Sequence, residues 1–275
     1  MQNNARILGA ELVGTTVLML GGPGSAILIP GNNPAKYLCV ALAFGFAWLV
    51  MSYVIGPVSG CHINPAVTLA LWLTRKANSA HAFFAVIGQF LGAALAGLII
   101  WRIAAGVDGY ERGTFASNGF DQLSPGGYGL GSAIIVEIIF TGLFVLSVLF
   151  TTTRKFSVGF SGLVVGINLA LIHIVTMQVD GTSVNPARSF GTAIYSNRNT
   201  DALEQLWVFL IFPLVGAVLG VFLFLLVDDS RLEDTMLDAE PLRAIRDVSD
   251  RGIDSIVDLS TGLPSSDPEP PPTSG

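Results

Sequence analysis

Two copies of one tripeptide, Asn64-Pro65-Ala66 and Asn185-Pro186-Ala187, constrain this chain more than any other feature. Each opens an apolar run too short to cross a bilayer, and each lies at the matching place of two similar halves. Asn-Pro is a strong helix start. The Asn side chain caps orphan backbone N–H groups, and Pro suits the first helical position. Pro65 to Leu73 is nine residues, roughly 14 Å of helix at 1.5 Å per residue. Pro186 to Ile194 is similar, so the two pieces placed end to end match the ~30 Å hydrocarbon core of a membrane.

The rest of the chain supplies the membrane context. It is 51% hydrophobic and 12% charged, with a mean hydropathy of +0.63, against about 25% charged residues in a soluble domain. Six apolar stretches, near 7–29, 37–56, 81–103, 131–152, 158–178 and 205–227, approach the ~20 residues that a span needs. Residues 30–36 and 104–129 read as loops on one side, the latter broken by Pro125, Gly126 and Gly127. Arg75-Lys76, Arg154-Lys155, Arg6 and Arg231 mark the other side as cytoplasmic by the positive-inside rule. Lys36, Arg112 and Arg198 fall outside, so the bias is moderate. Six spans then put both termini in the cytoplasm. No cleavage pattern follows the N-terminus, so no signal peptide is expected.

Charge divides the chain at the same place as hydropathy. Residues 1–227 hold 10 Lys+Arg and 8 Asp+Glu, and residues 228–275 hold 4 and 12. The net charge of −6 and the pI of 4.9 therefore describe the tail, and nothing suggests nucleic-acid binding. The acidic, Pro/Ser-rich tail at 228–275 reads as disordered, with a weak amphipathic stretch at Leu242, Ile245, Val248 and Ile253. Cys39 and Cys61 lie in or beside apolar runs and suggest no disulfide framework. Glycines four apart, Gly88/Gly92, Gly162/Gly166 and Gly216/Gly220, read as sites where helix backbones approach closely in lipid.

The halves, about 7–103 and 131–227, form a repeat. Glu11-Leu-Val-Gly-Thr15 resembles Glu137-Ile-Ile-Phe-Thr141, and the Glu pair is 126 residues apart where the Asn pair is 121. Three spans per half is odd, so the second half enters the membrane from the opposite side. Such inverted repeats put a functional pathway near the midplane. The short helices then meet at their N-termini, each carrying about +0.5 charge. Residues 57–63 and 179–184, just before them, read as irregular backbone, tolerated at that depth only when buried or lining a water-filled cavity. Two positive ends and two Asn amide donors would orient a water molecule there, repel cations and protons, and pass neutral polar molecules.

These residues resemble the aquaporin (major intrinsic protein) family, most closely its bacterial aquaporin Z type of water channel. The matching runs are Ser59-Gly-Cys-His-Ile-Asn-Pro-Ala-Val-Thr68, Thr182-Ser-Val-Asn-Pro-Ala-Arg-Ser189, Phe115-Ala-Ser-Asn-Gly119 and Ser124-Pro-Gly-Gly-Tyr128. The resemblance covers about 6–227 and leaves the tail out. It implies an all-α membrane protein of six transmembrane helices and two re-entrant half-helices. It also implies one pore per protomer, a homotetramer and an inner or plasma membrane. Pore diameter, lining donors and half-helix ends are the general terms of aquaporin-type selectivity.

The resemblance also assigns roles. Arg188 forms an outer constriction with Phe44, His173 and the carbonyl of Thr182. Taken alone, Phe44 reads as a core or lipid-facing aromatic and His173 as a satisfied buried imidazole, whereas an intramembrane Arg is a functional candidate unaided. The first-half counterpart of Arg188 is Val67. Gly60, Cys61, Ile63, Gly181 and Ser183 would offer carbonyls to a file of water, and His62 would line the cytoplasmic approach. Glu11 and Glu137 would accept hydrogen bonds from the re-entrant loops. His81 reads as an interfacial residue.

By the same resemblance, His173, Ser189 and Ala193 match water channels rather than glycerol-conducting relatives, while Phe209-Leu210, where water channels of this type usually carry two aromatics, leaves small neutral solutes open. A glycerol facilitator is the alternative within the fold. An ion-coupled transporter using Glu11 or Glu137 is the alternative outside it. No metal-ligand spacing, cofactor motif or nucleophile–base pair suggests an enzyme.

Overall fold

The computed structural model describes residues 4–153, 155–197 and 200–228. Among them are nine α-helices: α1 (Asn4–Leu28), α2 (Pro34–Val54), α3 (Gly56–Ser59), α4 (Pro65–Leu73), α5 (Ser79–Ala104), α6 (Leu130–Thr151), α7 (Ser161–Asp180), α8 (Pro186–Ala193) and α9 (Ala202–Val227). Six of these, 20 to 26 residues long, are long and apolar enough to cross a membrane. A helix satisfies its own backbone, which is what a lipid core demands. The six expected stretches are these helices, with ends moved by a few residues. Most of the tail, including 242–253, lies outside the described residues.

The starts of the helices follow from their caps. Asn33 Oδ1 accepts from Lys36 N at 3.0 Å ahead of Pro34, and Asn78 Oδ1 accepts from His81 N at 2.8 Å. Thus Asn-Pro opens α2 as well as the two half-helices. The approach to α4 is not irregular throughout: Gly56–Ser59 forms one helical turn, closed by Gly60 at φ +82°. The approach to α8 is shorter than expected, because α7 continues through Val179 and Asp180.

Packing repeats with the sequence. Helix α1 lies against α5 as α6 lies against α9, and α1 meets α2 as α6 meets α7. The α2–α7 contact joins the halves, while α4 reaches α9 and α8 reaches α5. The paired glycines sit at these crossings. Gly88 and Gly92 face α1 backbone, Gly162 and Gly166 face α2, and Gly216 and Gly220 face α6. Outward, Phe46, Val50, Ile135, Ile167, Leu171 and Phe222 are exposed, a coat of apolar side chains of the kind that marks a membrane contact.

Gly45 is a sharper case than the expected pairs. A Cβ there would lie 2.5 Å from Gly166 O and 2.7 Å from Ala170 Cβ, and backbone cannot yield. We predict that Gly45→Val forces α2 from α7 and costs about 1–3 kcal/mol by overpacking. Gly9, with nothing within 4 Å of a built Cβ, should accept Ala without loss. Thermal denaturation in detergent checks both, and equal melting of the two variants would refute the α2–α7 assignment.

Candidate functional site

The two half-helices meet through their caps. Asn64 Oδ1 accepts from Ala66 N at 2.9 Å, and its Nδ2 donates to Val184 O at 2.7 Å. Asn185 Oδ1 accepts from Ala187 N at 3.1 Å and Arg188 N at 3.2 Å, and its Nδ2 donates to Ile63 O at 2.9 Å. Each Asn therefore caps its own helix and ties down the loop that leads to the other. This cross-brace adds to the expectation that the amides donate to a water molecule. One N–H of each amide goes to the opposite carbonyl, and the second N–H of each remains for another acceptor.

The loops before the caps share an unusual backbone. Cys61 and Ile63 have φ of +54° and +37°, and Thr182 and Val184 have +49° and +45°. Positive φ in Ile and Val is a true outlier for β-branched residues, costing on the order of 1–3 kcal/mol each. Buried carboxylates hold the strain. Glu11 Oε1 accepts from His62 N at 2.9 Å and Ser59 Oγ at 2.6 Å. Its Oε2 accepts from Ile63 N at 2.6 Å and Gln89 Nε2 at 2.7 Å. Glu137 mirrors this: Oε1 accepts from Ser183 N and Oε2 from Val184 N, both at 2.9 Å. The carboxylates bind the one and two residues before each Asn in both halves.

Around Arg188 the structure gathers Phe44, His173 and the end of α7. The Phe44 and His173 rings stack at 3.9 Å between centroids, and Arg188 Cζ lies 5.6 Å from the Phe44 centroid. His173 Nδ1 is 2.9 Å from Leu169 O, while Nε2 has no protein partner among the described residues. Arg188 Nη2 donates to Gly181 O at 3.1 Å, and Nη1 donates to Ala116 O at 3.0 Å and to Asn118 Oδ1. Thr182 is fully buried beside it, its hydroxyl 2.8 Å from that of Thr176.

Two cavities approach this centre from opposite faces. One, of about 400 Å³, is lined by Lys36, Tyr37, Ala116, Met177, Gly181 and Arg188 among others. The other, of about 390 Å³, includes Trp48, Gly60, Cys61, Val67, Leu71 and Val165. Thus the two residues that differ after the paired motifs, Val67 and Arg188, face different cavities. His62, Ile63, Thr182 and Ser183 are buried and line neither. His81, expected at an interface, is buried: its ring stacks on His62 at 4.8 Å and its Nε2 lies 2.9 Å from Ser59 O.

Four polar residues were missed from sequence: Ser59 and Gln89 on Glu11, Asn118 on Arg188 and Ser189, and Asp180 at the end of α7. Gln89 was the readable one, a lone amide inside an apolar span, where a polar group needs a partner.

Six spanning helices around two half-helices capped head to head define an all-helical membrane protein of aquaporin-like fold. The chain belongs to the major intrinsic protein family, whose model it matches over residues 1–224. It is therefore a passive channel of a multi-pass membrane family and not an enzyme. The chain is 43% identical to Aquaporin Z of Brucella melitensis biotype 1 over 219 residues, covering 79% of this chain and 95% of that one. It is 42% identical to Aquaporin Z of Photorhabdus laumondii subsp. laumondii, covering 78% and 94%. The X-ray structure of the aquaglyceroporin from Plasmodium falciparum shares the fold, with a TM-score of 0.68 at 24% identity over 81% of this chain and 96% of that one.

Proposed function

We propose that the protein is a passive, proton-excluding water channel driven by osmotic gradients. Water passes in single file between the two cavities, past the paired Asn caps and a constriction of Phe44, His173, Arg188 and the Thr182 carbonyl. The observation that carries this reading is the head-to-head arrangement of Asn64 and Asn185. Two helix N-termini, each worth about half a positive charge, converge where each amide keeps one spare N–H. A water there accepts from both amides and turns its hydrogens outward, which breaks a proton wire. Both relatives named Aquaporin Z support water as the substrate.

The constriction supports water over glycerol. The stacked rings of Phe44 and His173 and the neighbouring guanidinium leave one apolar wall and donors on the rest. The Ile63, Gly181 and Val184 carbonyls are each engaged by one donor, and the second lone pair of such an oxygen is what a water file uses. An ion-coupled mechanism is disfavoured because Glu11 already accepts four hydrogen bonds and Glu137 two from backbone. The inner or plasma membrane, cytoplasmic termini and a homotetramer with one pore per protomer complete the reading. The acidic 228–275 tail is a separate cytoplasmic segment in it.

Stopped-flow light scattering of proteoliposomes tests it, with an impermeant osmolyte, then glycerol, and a pH-sensitive dye inside. Fast shrinkage without glycerol or proton entry is expected. Glycerol entry at a comparable rate would replace water selectivity with the facilitator reading, and proton-coupled uptake would overturn both.

Cys61 gives an independent check. It lines the cavity beside Val67, whereas Cys39 is exposed on α2. A mercurial should block flux in the unsubstituted protein and not in Cys61→Ser. Block that persists in Cys61→Ser places the reactive thiol elsewhere.

A further inference from the structure

The inverted repeat makes one side chain anomalous. Ser59 and Asp180 each stand five residues before their Asn, and each precedes a left-handed glycine, Gly60 at φ +82° and Gly181 at φ +76°. Their bonds correspond. Ser59 Oγ accepts from Cys61 N at 3.2 Å, and Asp180 Oδ1 accepts from Thr182 N at 2.8 Å, both three residues before the Asn. Ser59 Oγ also donates to Glu11 at 2.6 Å. Asp180 stands in the same place beside Glu137, its carboxyl on Thr182 N as the Glu137 carboxyl is on the next two N–H groups, Ser183 and Val184, yet an ionised aspartate has nothing to donate.

Among the described residues, both carboxyls on this side take only backbone donors. Asp180 is fully buried, and its Oδ2 has no donor among the described residues. Each Glu137 oxygen receives one backbone N–H. Arg188 is the nearby cation, but its Nη groups go to Ala116 O, Asn118 Oδ1 and Gly181 O. Two buried carboxylates that hold consecutive N–H groups of one loop do not both ionise, because like charges in one buried site favour a shared proton. One carboxylate charge then balances the Arg188 charge.

We infer that Asp180 and Glu137 hold a single proton between them and that Asp180 is thereby a positioning residue for the outer constriction. The hydrogen bond occupies the place that the Ser59 hydroxyl fills in the first half. Asp180 is also a junction. Its main-chain oxygen accepts from Asn118 Nδ2 and Gly119 N, both at 3.1 Å. Its carboxyl holds Thr182 N, and its α6 partner holds Ser183 and Val184. Through Asn118 and Gly181 it fixes two of the Arg188 acceptors. The proton is a property of this protein's own second half, and only the flux arm of its test rests on the water-channel reading.

The experiment uses the full-length protein in lipid. Infrared difference spectra of unsubstituted protein against Asp180→Asn should show a protonated-carboxyl C=O band that the variant loses, because the Asn amide supplies the donor without a proton. No band lost would overturn the proposal, whatever the channel conducts. Asp180→Leu should lose osmotic flux, and Asp180→Asn or Asp180→Ser should restore it by returning a neutral donor at that site. Undiminished flux in Asp180→Leu, or failure of both neutral donors to restore it, would also overturn the positioning role.

Discussion

Glu11→Leu is expected to prevent the channel from folding stably. The substitution leaves three buried donors without an acceptor, Ser59 Oγ, His62 N and Ile63 N, and takes one of the two acceptors of Gln89 Nε2, which keeps Thr68 Oγ1. Each unsatisfied group costs about 1–3 kcal/mol. The sum is of the order of the 5–15 kcal/mol that stabilises a whole folded protein. It also releases the positive-φ backbone at Cys61 and Ile63, strain that persists only while its surroundings over-determine it. Glu11→Gln keeps one acceptor oxygen and turns the other into a donor facing donors, so an intermediate loss is expected. Glu137→Leu orphans two backbone N–H groups and should cost less than Glu11→Leu. Thermal denaturation in detergent and amide exchange at His62 and Ile63 check the order. A Glu11→Gln protein with unsubstituted melting and exchange but no transport would instead make Glu11 a coupling carboxylate.

This pattern explains what could be read from sequence and what could not. The half-helix caps were legible because they are local: Asn64 Oδ1 reaches Ala66 N two residues on, and Pro fits the next position. The long helices were legible because each must satisfy its backbone within itself in lipid. The cross-brace was not legible. Asn64 Nδ2 meets Val184 O 120 residues away, and Asn185 Nδ2 meets Ile63 O across 122. Local propensity carries no such register, although the inverted repeat brought the two motifs to one place. Asn118 was hidden in an aperiodic loop, inside a run noticed only as a similarity. Asp180 was lost because hydropathy ended the fifth span at 178. The structure extends that helix to Asp180, where a neutralised carboxyl costs less than the charge that hydropathy assumes. The packing of His81 was not legible either, because its stacking on His62 joins two segments that local sequence does not bring together.

Removing the bulk and charge of the outer constriction tests where selectivity resides. In the double variant His173→Gly and Arg188→Val, the Phe44 ring loses its stacking partner at 3.9 Å and the guanidinium 5.6 Å away. The site then resembles the first half, where Val67 follows the Asn-Pro-Ala motif. Glycerol entry should rise on the order of tenfold or more, since each 1.36 kcal/mol taken off a barrier is a factor of ten and forcing a three-carbon backbone past the stacked rings and the fixed guanidinium costs about 1–3 kcal/mol of steric strain. Water flux should change far less, because the Asn caps and loop carbonyls are untouched. Proton exclusion separates the two sites. Arg188 is one source of positive potential and the two half-helix N-termini are the other. Loss of Arg188 should therefore admit some proton current without abolishing exclusion, whereas a variant of Asn64 or Asn185 disturbs the caps themselves. Liposome swelling in glycerol and dye-reported pH under a proton gradient read the two effects apart. Unchanged glycerol exclusion in the double variant would move the constriction away from Phe44, His173 and Arg188.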